Sequence, residues 1–69
     1  MPARQTITVV IPLLNEEHGL PPLVKRLVPV LEASGLAWSV LFIDDGSTDA
    51  TMAVVREMNA KQPRINAIS

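Results

Sequence analysis

The chain has 69 residues, 48% of them hydrophobic, with six Lys or Arg against seven Asp or Glu, one His and no Cys. A net charge of −1 supplies no basic field for nucleic acid, and the missing Cys excludes a disulfide framework and thiolate metal sites. A domain this short buries only about 60% of its unfolded surface, so a mean hydropathy of +0.27 reads as one piece of a larger core.

No apolar run approaches the roughly 20 residues of a membrane helix, so no membrane segment is expected. Ile7 to Leu14 follows Arg4, as the core of a signal peptide would. It contains Pro12, runs into Asn15-Glu16-Glu17 and lacks a small-x-small cleavage site, which argues against that reading. The composition fits a cytoplasmic chain.

Thr6 to Leu13 is β-branched or apolar at nearly every position. Continuous rather than alternating apolarity predicts a strand covered on both faces, as in a parallel sheet. Pro12 has no N–H, so the strand should end at or just after it. Leu20, Leu23, Val24, Leu27, Val28 and Leu31 then fall at helical spacing and predict a helix over Leu20–Ser34. Pro21 and Pro22 suit its first turn, and Gly35 stands where a C-terminal cap belongs. Pro29 should remove the hydrogen bond to the Lys25 carbonyl and kink the helix.

A second buried strand is expected over Leu36–Ile43, with Trp38 as core or edge packing. Thr51, Val54, Val55 and Met58 mark the apolar face of a second helix, Ala50–Lys61, stopped by Pro63. Arg64 to Ile68 reads as a third strand just beginning. The order β-α-β-α-β predicts an α/β fold with a mainly parallel sheet, its first two strands adjacent, in three layers or an incomplete two. An unfinished sheet predicts poor solubility or self-association. The expectation is that residues 1–69 form the incomplete N-terminal part of a larger α/β domain.

In parallel α/β sheets ligands bind beyond the carboxyl ends of the strands. Two polar clusters fall there, Asn15-Glu16-Glu17 after the first strand and Asp44-Asp45-Gly46-Ser47 after the second. Turn and cap chemistry accounts for Thr48 and Asp49. Asp44 and Asp45 leave two readings open. They are structural turn acids, or they accept hydrogen bonds from a ligand such as a nucleobase N–H and ribose hydroxyls. No glycine-rich phosphate loop is present, and the acid spacing is not that of an EF-hand. His18, alone in a loop, reads as solvated surface.

"VVIPLLNEE" (Val9 to Glu17) and "FIDDGSTDAT" (Phe42 to Thr51), in this order and with one helix between, resemble the opening motifs of family 2 glycosyltransferases. The resemblance covers essentially the whole chain but only the opening part of a family catalytic domain. It implies a GT-A fold, a Rossmann-like sheet that binds a nucleoside-diphosphate sugar and transfers the sugar to an acceptor. It further implies that Pro12, Leu14 and Glu16 line the nucleoside pocket and that Asp45, with Asp44, holds base and ribose. Pro12 as a simple strand terminator and Leu14 as a buried loop anchor stay open beside those roles. Many members carry an aromatic where Leu14 stands, so a stacking face is missing.

The "LLNEE" form looks closest to dolichyl- and undecaprenyl-phosphate sugar transferases. That implies a lipid phosphate acceptor and a place at the cytoplasmic face of a membrane. The family's divalent metal, Mg or Mn, is held by an Asp-x-Asp motif which, like the catalytic base, is expected beyond Ser69. Residues 1–69 alone are therefore expected to be inactive. A nucleotidyltransferase-like domain, a response-regulator receiver and a non-catalytic binding or interaction module are the alternatives. The first would usually show a basic, glycine-rich loop where Asn15-Glu16-Glu17 stands, and the second would place its acid pair after the first strand.

Overall fold

The computed structural model describes residues 5–69; Arg4, the charge ahead of the first apolar run, lies outside them. The elements are β1 (Thr6–Leu13), α1 (Leu20–Ala33), β2 (Ala37–Asp44), α2 (Thr51–Lys61) and β3 (Ile65–Ile68). The three strands form one sheet in the order β1-β2-β3. Both pairings are parallel, with Val9 opposite Val40 and Val40 opposite Ile65. This is the α/β, β-α-β-α-β start of a Rossmann-like sheet expected from the sequence.

Successive crossovers of one hand that step the same way across a sheet place their helices on the same face. The core shows this. Trp38, Val40 and Phe42 from alternate positions of β2 are buried with Leu13 of β1, Ile65 of β3, Leu20 and Leu31 of α1, and Val55 of α2. The fold is thus two-layered over the described residues. The opposite face carries Val10, Ile43 and Ile68, which stay exposed. The expectation that both faces of β1 and β2 are covered is not met here. Apolar residues on every strand position report two buried faces, but both helices go to one of them.

α1 has no side-chain cap at Gly19 and scarcely needs one. Pro21 and Pro22 carry no N–H, which removes two of the donors a helix start leaves free. The Leu20 N–H donates to the Glu16 carbonyl at 3.0 Å. The helix runs on through Pro29. Lys25 and Pro29 are both exposed, so water can take the carbonyl that proline leaves unpaired. Gly35, at φ +74°, takes the left-handed position that ends the helix. The Ser34 hydroxyl donates to the Leu31 carbonyl at 2.6 Å and accepts the Leu36 N–H at 3.1 Å.

Trp38 is buried, and the Arg64 guanidinium lies 5.1 Å from its ring centroid, a cation–π contact. Asn59 of α2 donates to the Ile65 carbonyl at 2.6 Å and ties the second helix to β3. Phe42 is fully buried at the middle of the sheet. Phe42→Ala is expected to lower the unfolding free energy by about 3–5 kcal/mol, the range for truncating a buried Phe. Urea unfolding of the natural protein checks this; a loss below about 1 kcal/mol would remove Phe42 from the core.

Candidate functional site

The parallel register sets Leu13, the last residue of β1, opposite Asp44, the last of β2. The two strands therefore end side by side, and the Asp45 N–H donates to the Leu13 carbonyl at 2.9 Å. This brings the loop after β1 and the acidic turn after β2 into contact. Asn15 takes a left-handed backbone at φ 51°, a conformation Asn tolerates better than most residues.

Three consecutive N–H groups of the first loop are then captured by the second. The Asn15 N–H donates to Ser47 Oγ at 2.9 Å, and the Ser47 hydroxyl donates onward to Asp44 Oδ1. The Glu16 N–H donates to Thr51 Oγ1 at 2.8 Å, and the Thr51 hydroxyl donates onward to Asp49 Oδ1. The Glu17 N–H donates to Asp49 Oδ2 at 3.4 Å. In return, Asn15 Oδ1 accepts the Thr48 N–H at 2.8 Å and the Asp49 N–H at 3.4 Å. Thr51 is completely buried in this seam.

The two adjacent acids differ. Asp44 is buried, and its two carboxylate oxygens accept the Ser47 N–H at 3.3 and 3.2 Å. It closes the turn. Gly46 gives that turn its left-handed residue at φ +90°. Asp45 is exposed, and no hydrogen bond or ion pair among the described residues engages its carboxylate. The strand runs one residue past the expected end, so Asp44 belongs to β2 and Asp45 is the first residue beyond it.

Pro12 and Glu16 line one open cleft of about 250 Å3 with Ile11, Leu13, Gly19, Leu20 and Leu23. No residue of β2 lines it, and among the described residues β1 has a free edge on the side away from β2. The Leu13 carbonyl faces β2, so by alternation the Pro12 nitrogen faces this free edge, where proline costs no ladder bond. Glu16 reaches back over the helix start. A Cβ on Gly19 would stand 2.7 Å from Glu16 Oε2, so the glycine leaves room for the carboxylate. Leu14 and Asp45 lie outside the cleft wall. Leu14 is 53% exposed, which excludes the buried loop anchor. His18 is exposed as well.

Thr48 and Asp49 depart from simple helix caps. Ala50 is the cap residue of α2 and has no side-chain cap bond. Asp49 does accept the Thr51 N–H at 2.9 Å, but its other oxygen reaches the first loop. Thr48 serves chiefly through its backbone N–H, at 2.8 Å from Asn15 Oδ1, with its hydroxyl farther off at 3.5 Å. The sequence reading missed Ser47 and Thr51 as relays for the N–H groups of Asn15 and Glu16. The signal was there in a hydroxyl at each end of "STDAT", but their partners lie 32 and 35 residues away.

A family model for glycosyl transferase family 2 matches residues 8–69. The chain belongs to this family. Similar curated proteins include the undecaprenyl-phosphate 4-deoxy-4-formamido-L-arabinose transferases of Salmonella paratyphi B, Salmonella newport and Salmonella heidelberg. Each is 47% identical over 45 residues, which covers 65% of this chain and 14% of the relative. The chain thus matches only a small part of their length. The likeness of "LLNEE" to the polyprenyl-phosphate branch agrees with these relatives.

The divalent metal that the resemblance implies finds no fit among the described residues. Among the described residues no three His, Cys, Asp or Glu side chains are grouped to hold one. Asp44 and Asp49 are turned to Ser47, Thr51 and Glu17 instead. Among the described residues no helix is long and apolar enough to cross a membrane.

The hydrogen bond from the Thr51 hydroxyl, above all, holds the Asp49 carboxyl below its ordinary value. Desolvation opposes it, and the N–H groups of Thr51 and Glu17 assist. A folded pKa below the unfolded one means that this stabilisation is present at neutral pH. It is lost as pH falls below the unfolded aspartate value of about 4 and through the folded value. The thermal midpoint should therefore drop further between pH 6 and pH 3 in the natural protein than in Asp49→Asn. Parallel midpoint-against-pH curves would show that Asp49 does not carry the seam.

Proposed function

We propose that this segment forms the nucleoside-binding part of the donor site of a glycosyltransferase. The enzyme would move a sugar from a nucleoside-diphosphate sugar to a polyprenyl phosphate. The observation that carries the reading is Asp45. It is a carboxylate without a partner among the described residues, held at the carboxyl end of a parallel strand by a turn that is itself hydrogen-bonded to the loop after β1. A carboxylate placed so can accept from a base N–H or from ribose hydroxyls.

On this reading the end of β1 and the loop after it add Pro12 and Glu16, which share their own cleft, and the exposed Leu14 to the donor site. Leu14 supplies an apolar contact without a stacking face. Asp44 serves the same pocket by fixing the turn that presents Asp45. A lipid acceptor is supported by the relatives, which are undecaprenyl-phosphate sugar transferases, and with such an acceptor the enzyme would work at the cytoplasmic face of a membrane. The metal of such a reaction would stabilise the departing diphosphate, on ligands other than the residues described.

In the natural protein Asp45→Asn is expected to weaken nucleoside-diphosphate binding. Hydrogen bonds to a charged group contribute about 1.5–3 kcal/mol, which corresponds to roughly ten-fold to a hundred-fold in affinity. Asparagine keeps the shape but turns one acceptor into a donor that faces the ligand's own donors. Titration calorimetry with UDP, GDP, CDP and ADP reads this; an unchanged affinity would make Asp45 a turn residue only. Residues 1–69 expressed alone should transfer no sugar, since the described residues form no group that could hold a metal and its ligands are assigned elsewhere. Sugar transfer by the purified segment would overturn that division.

A further inference from the structure

We infer that Asn15 is a positioning residue of the donor site, whose side-chain carbonyl locks the acidic turn so that Asp45 points at the ligand. The inference rests on the donor-site reading above. Asn15 contacts the turn at both of its ends. Its N–H reaches Ser47, which is bonded to Asp44, the residue before Asp45. Its Oδ1 gathers the N–H groups of Thr48 and Asp49, with the Thr48 hydroxyl at 3.5 Å. Among the described residues, no other side-chain oxygen accepts either of these N–H groups.

The residue type follows from two demands at one position. The backbone is left-handed, which only Gly, Asn and Asp adopt readily. The side chain must be an acceptor for two backbone N–H groups. Glycine meets the first demand and fails the second. Aspartate meets both and adds a charge beside Asp44 and Asp49. Asparagine alone supplies the acceptor without that repulsion. Asn15 itself need touch no ligand. Without its carbonyl the Thr48 and Asp49 N–H groups turn to water, and residues 45–49 gain freedom that ligand binding must then remove.

The test uses the natural protein with Asn15→Gly, which keeps the backbone conformation, and Asn15→Asp, which restores the acceptor. Amide hydrogen exchange at Thr48 and Asp49 should accelerate in Asn15→Gly and return to near the natural rate in Asn15→Asp. Equal protection in Asn15→Gly would overturn the inference whatever binds. Calorimetry with the tightest of UDP, GDP, CDP and ADP should show about a ten-fold loss in Asn15→Gly, the effect of one such bond. If Asn15 acts through Asp45, that loss should shrink to within about two-fold in an Asp45→Asn background. Additive losses would overturn the positioning role. An Asp45→Asn variant that binds normally would instead overturn the donor-site reading, and the exchange rates would still decide whether Asn15 holds the turn.

Discussion

The parallel register between β1 and β2 is the constraint on which the rest depends. It sets Leu13 opposite Asp44, so the two strands finish level and their following loops emerge side by side. A shift by one residue would carry Phe42 and Val40 from the buried face to the open one. Such a slip would also part Asn15 from Ser47 and Thr48. The core and the polar seam therefore enforce the same alignment. Burial of Phe42 fixes the register from inside the sheet, and the loop contacts fix it from the end.

The seam shows how a chain can crowd acids at a strand end. Each of its hydrogen bonds contributes only about 0.5–1.5 kcal/mol net, and those to charged groups somewhat more. Their arrangement matters more than their sum. Ser47 and Thr51 each accept an N–H from the first loop and donate to a carboxylate of the second. A hydroxyl is the one small group that can do both. Two acids thereby gain donors without a single Lys or Arg. Thr51 is completely buried, so replacing its hydroxyl with a methyl would strand the Glu16 N–H and leave Asp49 Oδ1 with the Thr51 N–H alone.

Much of the fold was legible because its signals are local. β1 covers Thr6–Leu13 as its composition predicts, and each helix begins or ends within a residue of its periodic stretch. The reading failed where the cause is not local. Apolar residues on both faces of β1 and β2 predict two covers, but sequence does not say which layer supplies them, and both crossovers turn to one face. The acids at the strand end were visible, and so was their place beside Asn15-Glu16-Glu17. Thr48 and Asp49 read as caps because cap preference is a property of neighbours. Asp49 does bond the Thr51 N–H nearby, but the other partners of Thr48 and Asp49 sit in the first loop, 32 to 34 residues away.

The same seam sets the two paired acids apart. Two adjacent carboxylates at one strand end repel unless their surroundings differ. Strand alternation makes them differ, since successive residues face opposite sides. Asp44 continues the buried side of β2 after Trp38, Val40 and Phe42, where it meets the turn and takes the Ser47 N–H and hydroxyl. Asp45 turns outward past the last ladder bond and keeps its carboxylate in solvent. One acid is consumed in building the turn, and the other is presented by it. A strand that ended in a single acid could do only one of these, which is a physical reason for the pair.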